Sequence, residues 1–242
     1  MDALYIAASG MVAQNQAMAA LGTNLANADS PGYLSQVGSM AEFPTVAISR
    51  AGVMPSQVPI GTSGQGVAFL AGLKLSPSGL QSTEQMTDLG ISGNGFFAVR
   101  GTAGVLYTRD GSFTIDSTGT LTTAGGDRLL YNNGKPVVVG EGPFSVSSNG
   151  TVAQNGKVLG QLAIFNLPAG PIKTLPGNLY QTAGAVPSTA QVVQGALNTS
   201  NVNLANQTVD LISAESSYQS LTAMVNEESS RLKTAATLGV LA

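Results

Sequence analysis

Glycine and proline divide this 242-residue chain into three parts. All 11 prolines lie between Pro31 and Pro187, and neither glycine nor proline occurs from Ala196 to Leu238. Because these residues interrupt helices most strongly, a stretch of 43 residues without them exceeds a typical globular helix and favours packing along other helices. The distribution therefore predicts two helical ends around a turn-rich middle.

The C-terminal end has a regular apolar pattern. It predicts a helix from about Val202 to Leu238 in which apolar residues recur every seven positions. Leu221 lies beside this series, and the series consists of Leu204, Leu211, Tyr218, Val225 and Leu232. A seven-residue repeat is typical of a seam along which one helix packs on another.

The N-terminal end has the same spacing. It predicts a helix from about Ala3 to Asn27, with Leu21 beside a series that consists of Leu4, Met11, Met18 and Leu25. Gly10 and Gly22 each cost about 1 kcal/mol relative to alanine in a helix interior. This helix should therefore be the weaker of the two by itself.

An isolated helix cannot bury either seam, so each helix needs a packing partner. Burying the five C-terminal seam residues stabilises by roughly 7–15 kcal/mol, whereas ordering about 35 backbone residues costs about 1–2 kcal/mol for each residue. The seams can pair with each other within one chain or with seams of other copies, and the pattern favours both arrangements equally. The segments Ala3–Ala28 and Thr174–Val209 carry no charge, which indicates burial among similar uncharged surfaces.

The middle of the chain reads as β structure. Short apolar runs lie at residues 95–99, 112–115, 136–139 and 161–165. They are separated by dipeptides that favour tight turns, namely Asp110-Gly111, Thr118-Gly119, Gly125-Gly126, Asn133-Gly134, Asn149-Gly150 and Asn155-Gly156. We therefore predict an antiparallel sheet or small barrel, with residues 167–193 as extended connecting chain. The predicted fold class is α+β.

Composition excludes several kinds of function. The chain has no His and no Cys, so it has no imidazole base, thiolate nucleophile, disulfide or zinc cage of the usual type. A net charge of −3 and the lack of a basic stripe argue against nucleic-acid binding. No run is apolar for long enough to insert into a membrane. No basic residue precedes Arg50, so a cleaved secretory signal is not expected.

Three local patterns suggest chemistry, but each is incomplete. Gly93-Asn94-Gly95 lacks the third glycine of a dinucleotide fingerprint. The alternating oxygen donors from Asp110 to Asp116 lack the glycine and glutamate of a calcium loop, and the sequence gives no separation for a carboxylate pair. The dense charge cluster Glu227, Glu228, Arg231 and Lys233 is interpreted as a solvated patch. We predict no catalytic residue, no cofactor-binding residue and no metal ligand.

Three stretches carry more distinctive motifs. The first consists of Thr23-Asn24-Leu25-Ala26-Asn27 and Ser30-Pro31-Gly32-Tyr33. The second consists of Gly93-Asn94-Gly95-Phe96-Phe97 and Tyr107-Thr108-Arg109-Asp110-Gly111-Ser112-Phe113. The third consists of Gln194-Gly195-Ala196-Leu197 and Ser200-Asn201-Val202-Asn203. In this order they resemble the flagellar axial proteins that form the rod and the hook, with Thr23 where that family usually has Asn.

The resemblance implies an inner helical domain, built from both ends, and an outer β-rich domain. We expect residues 1–36 with 196–242 to form the first and residues 37–195 the second. It further implies a structural rod subunit of the flagellar basal body, with copies of itself and other rod and hook proteins as partners. Export through the flagellar type III apparatus would proceed without cleavage.

The kind of axial protein is a finer prediction. Leu34-Ser35-Gln36-Val37 follows the turn where distal-rod proteins of the family usually carry basic residues, which favours an FlgF-like proximal-rod protein over an FlgG-like distal one. Hook proteins of the family are usually longer. The alternatives are therefore a distal-rod or hook-type protein, or a secreted adhesin or binding module on an axial scaffold.

Overall fold

The two ends of the chain, which were predicted to be helical, are helices in the computed structural model. It describes residues 2–42, 46–50, 58–63, 66–76, 78–102, 104–140, 142–168 and 170–240. Helix α1 spans Asp2–Ala26 and helix α2 spans Leu204–Val240, within two residues of the predicted bounds. The predicted α+β class is confirmed. Neither helix offers, within these residues, a stretch that is both long and apolar enough to cross a lipid bilayer.

The strands fall into an N-terminal group of four and a longer series that follows. The first four are β1 Gln36–Glu42, β2 Val46–Arg50, β3 Val58–Ser63 and β4 Val67–Leu73. The others are β5 Leu80–Ser82, β6 Leu89–Ser92, β7 Phe96–Gly101, β8 Gly104–Thr108, β9 Thr114–Ile115, β10 Leu121–Thr122, β11 Arg128–Leu129, β12 Phe144–Val146, β13 Thr151–Gln154, β14 Lys157–Gln161, β15 Ile164–Asn166, β16 Lys173–Leu175, β17 Leu179–Gln181, β18 Val186–Pro187, β19 Gln191–Gln194 and β20 Ala196–Asn198.

The chain divides into two compact units. One, the helical unit, comprises Met1–Leu25, Gln36–Gly72 and Leu204–Ala242, and the other, the β unit, comprises Ala26–Ser35 and Leu73–Asn203. The sequence-based boundaries, 1–36 with 196–242 and 37–195, group the segment that follows α1 differently. As boundaries of an assembly domain and an outer domain they stay a prediction.

The two helices of the helical unit are antiparallel. A Cβ atom placed on Gly10 would lie 3.2 Å from a methyl carbon of Leu221, and Asn24, further along α1, is hydrogen-bonded to Gln207, further back along α2. Gly10 and Asn24 are 14 residues apart in α1, and Gln207 and Leu221 are 14 residues apart in α2. The two helices therefore stay in register over this length. The most buried apolar positions are alanines, namely Ala7, Ala13, Ala17 and Ala20 of α1 and Ala214 of α2. Their short side chains permit close approach of backbones.

A β arm, residues 36–72, completes the helical unit. Strand β1 pairs with β4, and β2 pairs with β3 in antiparallel register. Gly38 leaves room for the Phe69 ring, because a Cβ atom there would overlap the ring carbons. The Val67 N–H donates to the Ser9 hydroxyl at 3.1 Å. The arm is therefore joined to α1 by a hydrogen bond.

The β unit is organised around strand β7. One edge of β7 pairs with β8, and its other edge pairs with β11 and β15. The sheet continues on one side as β16-β17-β8 and on the other as β11-β10-β9. Its main core is almost entirely aliphatic and aromatic and includes Leu89, Ile91, Phe97, Val99, Phe113, Leu121, Leu129, Val137, Val139 and Val152. The apolar runs predicted as strands thus supply the interior.

Turn chemistry was predicted well with one exception. Positive φ angles occur at Gly119, Gly126, Gly134 and Gly150, and at both residues of Asn155-Gly156, with φ of 51° and 76°. Asp110-Gly111 is not a tight hairpin turn, because Gly111 packs against a neighbouring segment: its carbonyl oxygen accepts a hydrogen bond from the Leu89 N–H at 3.0 Å. The prediction for that dipeptide was wrong.

The segment 167–193 also differs from its prediction. It was predicted to be extended connecting chain, but it contains β16, β17, β18 and most of β19. Tyr180 pairs with Tyr107 in the main sheet, and its side chain is 1% exposed. Pairing satisfies the backbone groups that a bare linker would leave to water. The prolines of this segment therefore lie in and between short strands and do not mark a linker.

Asp116 organises the turn between β9 and β10. One carboxylate oxygen accepts hydrogen bonds from the Thr118 hydroxyl at 2.6 Å, the Thr118 N–H at 2.8 Å and the Thr120 N–H at 2.9 Å. These hydrogen bonds, with that of the Thr118 hydroxyl the largest, hold the pKa of Asp116 below its ordinary value. The oxygens considered for a calcium loop therefore serve a local turn.

This geometry predicts the acid behaviour of the turn. Because the folded-state pKa of Asp116 is lowered, its contribution to stability is present above the unfolded pKa of about 3.9 and is lost as pH falls through the folded value. Carboxyl resonances followed by NMR should show Thr118→Ala raising the pKa of Asp116 while Thr118→Ser preserves it. An unchanged pKa in the alanine variant would contradict the assignment.

Candidate assembly interface

The predicted seam residues occupy intermediate positions in the helical unit. Leu4, Met11, Met18, Leu21 and Leu25 of α1 are partly buried, and so are Leu211, Tyr218, Leu221 and Val225 of α2. The two ends of the C-terminal series differ: Leu204 is 55% exposed and Leu232 is 44% exposed. The structure therefore partly buries the middle of both seams and leaves the ends of the C-terminal seam exposed.

A second set of apolar side chains lies outside the predicted seams. In addition to the two seam ends, six large apolar side chains of the described helical residues are exposed, namely Tyr5, Ile6 and Val12 of α1 and Val209, Ile212 and Met224 of α2. None of the six belongs to the two seven-residue series, and only Val12 and Ile212 are counted with the residues that lie beside those series. With the two seam ends, eight large apolar side chains are exposed on this pair of helices, which makes the helices a candidate contact surface.

Asn24 ties three elements of the helical unit together. Its side chain is 0% exposed. Its carbonyl oxygen accepts from the Gln36 N–H at 2.7 Å, and its amide donates to the Gln36 carbonyl oxygen and to the Gln207 side-chain oxygen, each at 2.7 Å. The amide thus pairs with the start of β1 as a neighbouring strand would, while it also contacts α2. This motif asparagine has a structural role that its sequence position did not reveal.

Within the β unit, the Ser30–Tyr33 part of the motif forms a tight turn. The Ser30 hydroxyl donates to the Asn27 side-chain oxygen at 3.0 Å, and the Pro31 carbonyl oxygen accepts from Asn178 at 3.3 Å. Gly32 has a φ of 63°, and a Cβ atom on it would overlap the backbone of Arg109. Only glycine satisfies both conditions.

The C-terminal motif packs beside this turn. The Gly32 N–H donates to the Asn198 carbonyl oxygen at 2.8 Å, and the Asn201 N–H donates to the Tyr33 carbonyl oxygen at 3.2 Å. The Asn201 side chain accepts from the Ser35 N–H at 2.7 Å. In the same motif, the Ser200 hydroxyl accepts from the Val202 N–H at 3.3 Å, and Asn203 is exposed. Two motifs that are more than 160 residues apart in the chain therefore build one junction.

Arg109, which belongs to the second motif stretch, is a buried cation. It is 1% exposed and donates to the carbonyl oxygens of Gly93 and Gly95 at 2.7 Å and 3.1 Å. Its guanidinium carbon lies 5.9 Å from the centre of the Phe96 ring. Burial lowers the pKa of Arg109, and Tyr180 partly opposes that shift. The Gly93-Asn94-Gly95 turn is thus held by an arginine and serves the fold.

Charge in the helical unit is confined to a few positions. Arg231 forms an ion pair with Glu228 at 3.6 Å, rather than with Glu227, and its side chain is 73% exposed. The described residues contain no group of three or more Asp, Glu, His or Cys side chains that could hold a metal ion. The surface formed by the exposed apolar side chains of α1 and α2 is therefore the main candidate for a contact in this unit.

Comparison with known sequences identifies the family. The profile described as "Flagella basal body rod protein" matches residues 4–33, "Flagellar hook protein FlgE/F/G D1 domain" matches residues 90–160, and "Flagellar basal body rod FlgEFG protein C-terminal" matches residues 193–238. These matches cover both helices and the centre of the β unit. They include all three stretches on which the resemblance was based.

Relatives named FlgG and FlgF match over most of their length. The FlgG rod protein of Borreliella burgdorferi is 32% identical, covering 90% of this chain and 91% of the relative. The FlgG of Bacillus subtilis is 28% identical over 90% of this chain and 91% of its own. The FlgF of Mesorhizobium japonicum is 27% identical, covering 95% of this chain and 94% of the relative. With one such relative above 30% identity over nearly full length, and with all three motifs in place, the chain belongs to the family of flagellar basal-body rod proteins.

Proposed function

We propose that this chain is a non-catalytic structural subunit that polymerises through its terminal helices into the rod of the flagellar basal body. The observation that carries the proposal is the exposure of large apolar side chains on both helices, among them Tyr5 at 62% and Val209 at 66%. Burying each half-exposed side chain would stabilise an assembly by on the order of 1 kcal/mol. Copies of the chain offer such burial.

The proposed interface combines the exposed set with the predicted seams. Leu204 and Leu232 are free to contact a second copy, whereas the partly buried seam residues would contribute their uncovered edges. The seam residues of the proposed interface are Leu4, Met11, Met18, Leu21, Leu25, Leu204, Leu211, Tyr218, Leu221, Val225 and Leu232. The exposed set adds Tyr5, Ile6, Val12, Val209, Ile212 and Met224. The absence of charge from Ala3 to Ala28 supports burial of this face, because an unpaired charge would cost several kcal/mol to desolvate.

The proposal extends to partners and location. Copies of itself and other rod and hook proteins would be its neighbours, in the basal body within the cell envelope. Passage through the flagellar type III export apparatus, which the family resemblance implies, is part of the proposal. Helices that rely on neighbours for burial would tolerate unfolding for export and gain order on assembly.

Within the rod, we retain the FlgF-like proximal position as the finer proposal. It is supported by the uncharged segment Leu34-Ser35-Gln36-Val37 after the motif turn. Relatives carry both names, with an FlgG protein at 32% identity and an FlgF protein at 28%. Cross-linking in purified basal bodies would identify the neighbours and so distinguish the proximal from the distal position.

A matched pair of substitutions tests assembly through the helices. Val209 of α2 and Val158 of β14 are almost equally exposed, at 66% and 63%. Replacing each by aspartate removes the same side chain and adds the same charge. We expect Val209→Asp to lower incorporation into basal bodies at least tenfold and Val158→Asp to leave it within twofold. Immunoblots of purified basal bodies provide the measurement, and circular dichroism checks that both variants fold.

The outcomes separate the proposal from its alternatives. Normal rods from the Val209→Asp variant would contradict assembly through the helices. If deletion of the gene leaves flagella intact but abolishes adhesion or ligand binding, the chain is a secreted binding module on an axial scaffold. Loss of flagella on deletion, restored by the native chain, is the expected result.

A further inference from the structure

Helix α2 is longer than the helix it packs against. Gly10 lies opposite Leu221 and Asn24 lies opposite Gln207, so continuing this antiparallel pairing places Asp2, the first residue of α1, opposite Ser229. Residues 231–240 of α2 therefore extend past the start of α1 by about 15 Å, at 1.5 Å for each residue. Every residue from Arg231 to Thr237 is exposed. We call residues 231–240 the overhang.

The overhang continues the pattern with which α2 packs on α1. Leu232 follows Tyr218 and Val225 at seven-residue intervals, and Ala235 follows Ala214 and Leu221 at multiples of seven. Positions seven residues apart lie on nearly the same side of a helix. The overhang therefore presents the stripe that contacts a helix elsewhere in α2, but within the described residues no helix covers it.

A groove lies near the other end of the helix pair, within the same unit. It has a volume of about 320 Å³ and is bounded by α1, α2 and the β arm. Its lining includes Ala17 and Leu21 of α1, Asp210, Ser213 and Ala214 of α2, and Phe69 of the arm. The lining combines apolar surface with one carboxylate. It has room for a few side chains of a helix that lies across it, because a ten-residue helix itself is about 10–12 Å wide, and its lining suits an apolar side chain beside a cation.

Charge favours the overhang as the segment that occupies this groove. Arg231 and Lys233 give the overhang two positive charges, and the groove carries Asp210. The single ion pair among the described residues is between Arg231 and Glu228, so neither Lys233 nor Asp210 has an ion-pair partner there. Two overhangs packed against each other would bring like charges together, which is unfavourable. An overhang in a groove brings opposite charges together.

We propose that the overhang of one copy docks in the groove of a second copy of this chain. The inference rests on the proposed self-assembly and specifies its contact. Because the two surfaces differ, the contact is heterologous, and each copy offers one free overhang and one free groove. Repetition of such a contact without closure generates a helical filament. A rod requires an arrangement of that kind.

Engineered cysteines test the contact directly, because the native chain contains no cysteine. In the doubly substituted chain Ser213→Cys with Ala235→Cys, the two positions lie about 33 Å apart along one helix, whereas a disulfide requires Cα atoms within about 7 Å. Any disulfide must therefore join two copies. Under mild oxidation at assembling concentrations, we expect a ladder of covalent multimers on a non-reducing gel.

The matched control replaces Thr234 instead of Ala235. Thr234 lies on the opposite side of α2 from Leu232, so Ser213→Cys with Thr234→Cys should give at least tenfold less cross-linked product. Equal cross-linking by both pairs would overturn the docking, and so would efficient dimer formation by Ala235→Cys alone, which would indicate paired overhangs. Polymers by sedimentation without cross-links would overturn the docking and leave self-assembly intact. If the native chain forms no polymer, the proposed function fails together with the docking.

Discussion

Replacement of Gly32 by alanine is expected to destabilise the β unit by about 4 kcal/mol or more, which approaches the whole stability of a small domain. Gly32 has a φ of 63°, a conformation that costs an L-residue about 1–2 kcal/mol. In addition, a Cβ atom there would overlap the carbonyl group of Arg109 and the amide nitrogen of Asp110. Because both obstacles are backbone atoms, a side-chain rotation cannot relieve the clash.

Gly177 provides the matched control in the same unit. Its φ is 79°, but a Cβ atom placed on it meets nothing within 4 Å. Gly177→Ala should therefore cost only about 1–2 kcal/mol, the conformational part of the effect. Denaturant unfolding followed by β-sheet circular dichroism measures both. Equal losses of stability in the two variants would contradict the close approach of Gly32 to the Arg109 backbone.

The same glycine shows what sequence reasoning could predict. Ser30-Pro31-Gly32 indicated the end of α1, because proline and glycine act through local backbone geometry. The helix bounds and the turns at Gly119, Gly126 and Asn155-Gly156 were predictable for the same reason. The identity of the segment that packs against Gly32 was not, because Arg109 is 77 residues away in the chain and no local rule relates the two.

The seams show a second limit of sequence reasoning. Heptad spacing identified the faces of α1 and α2 that can pack on a helix, but it gave equal support to pairing within a chain and between chains. The helices pair within the chain, and their buried positions are small residues such as Ala17 and Ala214. Heptad spacing of large apolar residues does not identify such positions. Leu204 and Leu232, as seam ends, remain exposed. One pattern therefore contains positions that are partly buried within the chain and positions that stay exposed.

Arg109 and Asn24 illustrate why buried polar residues escape sequence patterns. Each is at most 1% exposed, although arginine and asparagine are mostly surface residues. Burial is tolerable because backbone carbonyl oxygens, those of Gly93 and Gly95 for Arg109 and that of Gln36 for Asn24, accept their hydrogen bonds. Such partners are set by the folded path of the chain. The family motifs located both residues, and only the structure explains them.

Asn24→Asp is expected to destabilise the helical unit by about 3 kcal/mol or more at neutral pH. The substitution keeps the size of the side chain but replaces an amide that donates to the Gln36 carbonyl oxygen and the Gln207 side-chain oxygen, each at 2.7 Å. A carboxylate there would face the fixed Gln36 carbonyl oxygen, and the Gln207 amide would have to turn over to donate to it, in a site that is 0% exposed. Buried polar groups without partners cost about 1–3 kcal/mol each, and more when charged.

The loss of stability in Asn24→Asp should depend on pH, and burial of the introduced carboxyl determines the direction of that dependence. Burial and the facing Gln36 carbonyl oxygen raise the folded-state pKa of the introduced carboxyl above its unfolded value of about 3.9. Between these two pKa values the folded state binds more protons, so the stability of the variant falls as pH rises through that window. The variant should be nearest to the native chain below about pH 4, where the protonated carboxyl can still donate one hydrogen bond.

Asn15→Asp makes the same chemical change on the same helix at an exposed position. It should alter stability by less than about 0.5 kcal/mol and show no such loss between pH 4 and pH 7. Thermal unfolding at both pH values, followed by helical circular dichroism, compares the two variants with the native chain. Equal stability of the two variants at pH 7 would mean that Asn24 does not join β1 to the helices. Because the same side chain contacts Gln207, its loss should also loosen α2 along the groove.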